Sequence, residues 1–251
     1  GNVGHQRAIA LGLAWSAHNL DYDAFVVMDG DGEDTPADVE RLVERSHAEP
    51  GTAIIAERKK RSEGWLFRLG YRAFRIVHLL TTGKQMRFGN FCLLRRPHVR
   101  RLIASPSIWN HFAAGIIQSR IPLAHVPVDR GRRLAGKSHM NYVSLVVHGL
   151  SAIAVQLETV AVRLLLSTLG LFASTVIGIG AVVAVRLFTE RAIPGWASTL
   201  SMLLGLVALQ TIFISAFLAF TILHTRTQRL FVPAVDFHDF VRQVRQFGPE
   251  R

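Results

Sequence analysis

Phe25-Val26-Val27-Met28-Asp29-Gly30-Asp31-Gly32-Glu33-Asp34-Thr35-Pro36 is the stretch on which the fold of this chain turns. Phe25 to Met28 is an apolar run of the kind that forms a buried strand, and it delivers two carboxylates, Asp29 and Asp31, at its end. Side chains at i and i+2 of an extended backbone point to the same side. Carboxylates packed so closely repel unless a divalent cation such as Mg²⁺ or Mn²⁺ sits between them, and such a cation usually completes its shell with substrate phosphates. The pattern points to metal-assisted handling of a diphosphate.

Outward from this stretch the chain alternates between helical and extended patterns. Upstream, Gln6 to His18 has an apolar stripe at helical spacing, and the cluster Asn19 to Asp23 turns the chain into the strand. Downstream, Thr35 with Pro36 and Asp38 predicts an N-cap, a proline at the first helical position and an acid in the first turn of a helix to about His47. Thr52 to Ala56, Phe88 to Leu94 and Leu123 to Val128 read as strands, and Pro97 to Ala104 and Ser107 to Arg120 as helices. The alternation predicts an α/β layered domain with a mainly parallel sheet.

The 49% hydrophobic content exceeds what a soluble domain of 251 residues needs. The excess is concentrated. Leu164 to Val185 has no charge, and Trp196 to Leu223 is broken only by Gln210 and small hydroxyls. Each can cross a hydrocarbon core, which takes roughly 20 helical residues. The short connection Arg186 to Gly195 predicts a hairpin, and the arginines at 226, 229, 242, 245 and 251 outnumber Arg186 and Arg191 in the connection. The positive-inside rule then places both termini in the cytoplasm.

A net charge of +11 would suit nucleic acid, but the cations sit among large apolar side chains. In Trp65 to Leu80, Arg68, Arg72 and Arg75 are interleaved with aromatic and aliphatic residues, which favours a helix on anionic lipid headgroups over a nucleic-acid face. Tyr142 to Val162 reads as a juxtamembrane helix. Cys92 is the single cysteine, which excludes an internal disulfide and suits a small core residue on a strand. His5, His111, His139 and His148 lack metal spacing and read as structural. The acidic loop itself is not an EF-hand, which needs glycine at its sixth position, where Asp34 stands. Nor does it suit a haloacid-dehalogenase-type phosphatase, which has Thr or Val where this chain has Glu33.

Asn2-Val3-Gly4-His5-Gln6 with Ala8 and Gly12, the run Val26 to Asp31 with Pro36, Arg133-x-x-Gly136-x-Ser138 and two C-terminal spans together resemble family 2 glycosyltransferases of the GT-A fold. The likeness is nearest to the dolichyl-phosphate mannose synthase and polyprenyl-phosphate glycosyltransferase branch. It implies a partial GT-A, Rossmann-like α/β domain over 1–140, an interfacial helix over 141–163, a transmembrane hairpin over 164–223 with spans 164–185 and 196–223, and a cytoplasmic tail over 224–251. The strand and base-holding aspartate that precede the Asn-x-Gly segment in those enzymes have no counterpart here, and the chain starts at Gly1. The resemblance therefore implies a piece lacking its N-terminal part and its nucleotide-base subsite.

The same resemblance implies inverting transfer of a sugar from a nucleotide-sugar donor to a lipid-linked phosphate, with Mg²⁺ or Mn²⁺ as cofactor. Asp29 and Asp31 match the family's metal-binding aspartates, and Glu33 falls where a glutamine near the metal is common; these three are the expected catalytic and metal residues. Arg133 and Ser138 match the Arg-x-x-Gly-x-Ser-Lys element, whose lysine is replaced by His139, and Asn90 sits where many relatives carry an acid. Arg58, Arg130, Arg133 and Ser138 are the candidates for the acceptor phosphate, since the planar arginine fork suits such an oxyanion. A phosphate acceptor needs no strong base, whereas a sugar hydroxyl would need one, with Glu33 and Asp34 nearest. Three alternatives stay open: an acceptor hydroxyl, another lipid acceptor, and a non-catalytic lipid-binding relative. Membrane lipids are expected partners and nucleic acid is not, with self-association into a homo-oligomer left open.

Overall fold

The computed structural model describes residues 2–58, 72, 76–83, 89–129, 131, 133–134, 142–189 and 195–245. The chain divides into two compact units, one formed by Gly1–Val155 with Leu230–Arg251 and the other by Gln156–Arg229.

In the first unit, α1 (His5–Asn19) leads into β1 (Ala24–Val27), and α2 (Pro36–Ala48) leads into β2 (Ala53–Arg58). The start of α2 follows its capping residues: Thr35 Oγ1 accepts a hydrogen bond from Asp38 N at 3.2 Å and donates one to Asp38 Oδ2 at 2.8 Å. Beyond β2, residues 76–82 are helical; the rest of the amphipathic segment Trp65 to Leu80, apart from Arg72, lies outside the described residues. Then come β3 (Cys92–Arg95), α3 (Arg96–Ile103), α4 (Ser107–Asn110), α5 (Phe112–Gln118), β4 (Leu123–Val128) and α6 (Tyr142–Ala154).

The four strands lie in the order β1-β3-β2-β4. β3 runs antiparallel to both β1 and β2, and β4 is parallel to β2, so the sheet is mixed where a mainly parallel one was expected. The reason lies in connectivity. After β2 the chain returns to the sheet at the edge where β2 ended, with Phe91 O accepting from Ala56 N, so no crossover to the far edge is made and the returning strand must run backwards.

Alternate strand residues face opposite layers. Phe25, Val27, Ala53, Ile55, Cys92 and Leu94 pack with α1, α3, α4 and α5, while Ile54, Ala56, Leu93, Ala124, Val126 and Val128 pack against Leu42 of α2. Cys92 is fully buried, and burial pushes its thiol pKa up, as befits a core residue.

The helix expected over Ser107 to Arg120 is broken at His111, which is extended (φ −158°, ψ 111°). Its Nδ1 accepts from Ala114 N at 3.3 Å, so this side chain caps α5. The interfacial helix expected to Val162 also ends earlier, at Ala154, packed through Ala152 and Val155 onto Ala114 of α5. Residues expected as part of a tail return to the first unit: α9 (Pro233–Asp236) and a 3₁₀ turn (Phe237–Asp239) bring Phe237, 1% exposed, into the core. Phe231 stacks on Trp109 with ring centroids 3.7 Å apart.

The second unit is a hairpin of two long helices, α7 (Leu157–Phe188) and α8 (Trp196–Thr227). They meet through small and hydroxylated residues: Thr168 Oγ1 lies 2.8 Å from Ser215 Oγ, and a Cβ on Gly178 would come within 3.4 Å of Leu204. Such residues let apolar helices approach closely where no hydrophobic gradient drives them together. Both are long and apolar enough to cross a membrane. Their large side chains point outward, with Ile177 72%, Met202 78% and Phe217 69% exposed, the reverse of a soluble core helix.

Candidate active site

β1 and β2 end, and β3 begins, at one edge of the sheet, and β4, parallel to β2, ends there too. The loops at this edge hold the acidic stretch after β1, Asn90 before β3 and the Arg133 loop after β4. Carboxyl ends of strands are the usual ligand-binding edge of such sheets.

The acidic loop is fixed by its own hydrogen bonds. Asp31 Oδ1 accepts from Glu33 N at 3.0 Å, and Asp34 Oδ2 accepts from Asp29 N at 2.9 Å. Gly32 adopts φ +85°, a conformation open to glycine at little cost. Glu33 and Asp34 are buried, at 7% and 4% exposure, whereas Asp29 and Asp31 keep 39% and 26% of their side-chain surface open.

The loop after β4 is strapped to this turn. Gly131 N donates to Glu33 O and Leu134 N to Asp31 O, both at 2.9 Å. The approach is too close for any side chain at 131, where a Cβ would sit 2.8 Å from Glu33 O and 2.9 Å from Gly32 O. Arg133 is thereby held against the acids, with one terminal nitrogen 2.8 Å from Asp31 Oδ2 and Nε 3.3 Å from Glu33 Oε1.

On the other side of the turn, His5 Nε2 lies 3.4 Å from Asp29 Oδ1. The hydrogen bond with Asp29 raises the His5 pKa against the opposing effect of burial, and the carboxylate charge adds to the rise. Gln6 steadies the ring: its Nε2 lies 3.2 Å from His5 Nδ1 and 3.4 Å from Asn90 Oδ1, and its Oε1 accepts from Phe112 N at 2.6 Å. His5 reads as structural from residue type alone, and only the fold places it beside Asp29. The signal available was its position in the Asn2-Val3-Gly4-His5-Gln6 run, next to the N-terminus of α1.

Of the residues expected at the site, the fold gathers Asp31, Glu33 and Arg133, while Asp29 is engaged with His5. Arg58 closes β2 at the same edge. Arg130 and Ser138 lie outside the described residues. Among the described residues no three histidine, cysteine, aspartate or glutamate side chains converge as a metal-binding group. The donor chemistry nonetheless fits Mg²⁺ or Mn²⁺, since Asp29 and Asp31 offer partly open hard oxygens on one loop and the Asp31–Glu33 pair already accommodates a cation, the Arg133 guanidinium.

Residues 1–103 match the family Glycosyl transferase family 2. The match runs from α1 through α3, taking in His5, Asp29, Asp31, Glu33 and Asn90, and stops short of β4, Arg133 and both long helices. It implies transferase chemistry on a sugar donor and an acceptor, and enzymes of that family generally use divalent cations. No curated protein matches the chain.

Proposed function

We propose that this chain is a membrane-anchored, inverting glycosyltransferase that moves a sugar from a nucleotide sugar to a polyprenyl or dolichyl phosphate at the cytoplasmic face. The observation that carries the reading is the meeting of Asp31, Glu33 and Arg133 at the strand-end edge of a domain whose first 103 residues match the family, in a chain that continues into an apolar hairpin. Asp29 and Asp31, with Glu33 beside them, would hold Mg²⁺ or Mn²⁺. The ion would neutralise charge developing on the departing nucleoside diphosphate, the electrostatic contribution that usually dominates such transfers.

The state of the acids favours an acceptor that is already anionic. A hydroxyl acceptor needs a base, yet Asp34 accepts from Asp29 N and Glu33 is paired with Arg133, so both nearest candidates are engaged. A phosphate monoester needs alignment by cations instead, and Arg133, with Arg58, Arg130 and Ser138, is the set assigned to it. Both ends of the hairpin enter the same folded unit, which supports one side of the membrane for all of them.

Asp31→Asn tests the reading, because it removes a charge from the acid loop without adding bulk. Transfer from a nucleotide sugar to polyprenyl phosphate should be abolished while membrane insertion is kept. Undiminished activity at saturating Mg²⁺ or Mn²⁺ would reject the metal assignment, and transfer to a soluble sugar with no lipid present would reject the lipid-phosphate acceptor.

A further inference from the structure

Arg133 faces two demands in this reading: it is assigned to the acceptor phosphate, yet it lies on two of the three acids assigned to the metal. A guanidinium 2.8 Å from Asp31 and 3.3 Å from Glu33 neutralises carboxylates that would otherwise repel. Glu33, with 8% of its side-chain surface open, has lost much of its water and gains most from such a partner. The guanidinium does not wander there on a loose arm, because the flanking Gly131 and Leu134 amides are bonded to the acid loop on either side of it.

We propose that Arg133 is the resting counter-cation of the Asp31–Glu33 pair and must leave it before a divalent ion binds. The proposal rests on the glycosyl-transfer reading above. Divalent charge and the arginine compete for the same Asp31 oxygen. Once the ion holds the acids, the guanidinium is released beside a new source of negative charge, and its fork is free for a phosphate. In the ligand-free chain the acids occupy it, and an acceptor phosphate meets a neutralised pair instead of an open cation. One side chain would serve two anions in turn.

Mn²⁺ titration of the full chain in detergent, read by the electron paramagnetic resonance of free Mn²⁺, tests the competition. Arg133→Gln and Arg133→Ala should bind Mn²⁺ up to about fivefold more tightly than the native chain in the absence of nucleotide, the size expected for removing a partly exposed ion pair. Arg133→Gln keeps the length of the arm and guards against collapse of the loop. Unchanged or weaker Mn²⁺ binding in both variants would overturn the counter-cation role and leave the glycosyl-transfer reading standing. No Mn²⁺ binding in any chain, even with a nucleoside diphosphate present, would overturn both. In the native chain a short isoprenyl phosphate should bind more tightly once Mn²⁺ has released Arg133; equal affinity with and without Mn²⁺ would overturn that release.

Discussion

His111 stands at the break between α4 and α5 with 2% of its surface exposed, its ring 4.3 Å from that of His148. Nδ1 is used as the helix cap and Nε2 is buried with no hydrogen-bond partner among the described residues, so the ring is held neutral. Burial lowers its pKa from 6.5 to about 3, and the charges of His148, His78 and His5 push the same way. The unfolded chain takes up a proton as pH falls through 6.5, whereas the folded chain does so only near 3. Stability is therefore fully present above pH 6.5 and is lost as pH falls below it, with a slope approaching about 1.4 kcal/mol per pH unit for one group. Thermal unfolding of the detergent-solubilised chain between pH 7 and pH 4 should show this slope, and His111→Asn, which can still cap, should flatten it. Cys92 makes the complementary case of an inert buried group: a maleimide should leave it unmodified in the folded chain and label it after denaturation.

At the level of elements, the strap after β4 is the feature whose failure should be most visible. Gly131→Ala places a methyl group within 2.8 Å of Glu33 O, so the strap must lift, taking Arg133 from Asp31 and Glu33. Loss of most transfer activity with a stability cost of about 1–3 kcal/mol is the expected result, measured by initial rates and thermal unfolding. Thr35→Ala should cost about 1 kcal/mol through the lost cap of α2 and leave the acids in place. Features of this local kind were legible in the sequence, because they depend on neighbours: the Thr35 cap, the run of α1 and the bounds of β4, Leu123–Val128, could all be read there. The backward run of β3 could not, since strand direction is set by which sheet edge the chain returns to, and no residue in Cys92–Arg95 encodes it. Nor could the break at His111, where one buried cap outweighs an apolar pattern that suits a continuous helix. The candidate site divides likewise. Asp29 and Asp31 announce themselves by spacing, while the pairing of Arg133 with acids a hundred positions away in sequence exists only through the parallel alignment of β4 with β2.

For the whole molecule, the hairpin reading makes a topological claim. A cysteine replacing Pro194 should be labelled from outside the cell, and one replacing Gln243 only after permeabilisation; Cys92, being buried, should not interfere. Labelling of both from one side would refute it. The return of the C-terminal residues to the first unit makes a second claim. Phe237→Ala removes a fully buried aromatic side chain and should cost about 3–5 kcal/mol, read from thermal unfolding, although it lies far in sequence from the rest of the core. That contact also sets a timetable for biosynthesis. Phe237 leaves the ribosome after both apolar helices have been made, so α1 and the sheet wait with an open apolar socket until the hairpin has been synthesised. A nascent chain arrested before Phe237 should remain dependent on chaperones, and one released beyond it should become protease-resistant, so that completion of the first unit reports that both long apolar helices have already emerged.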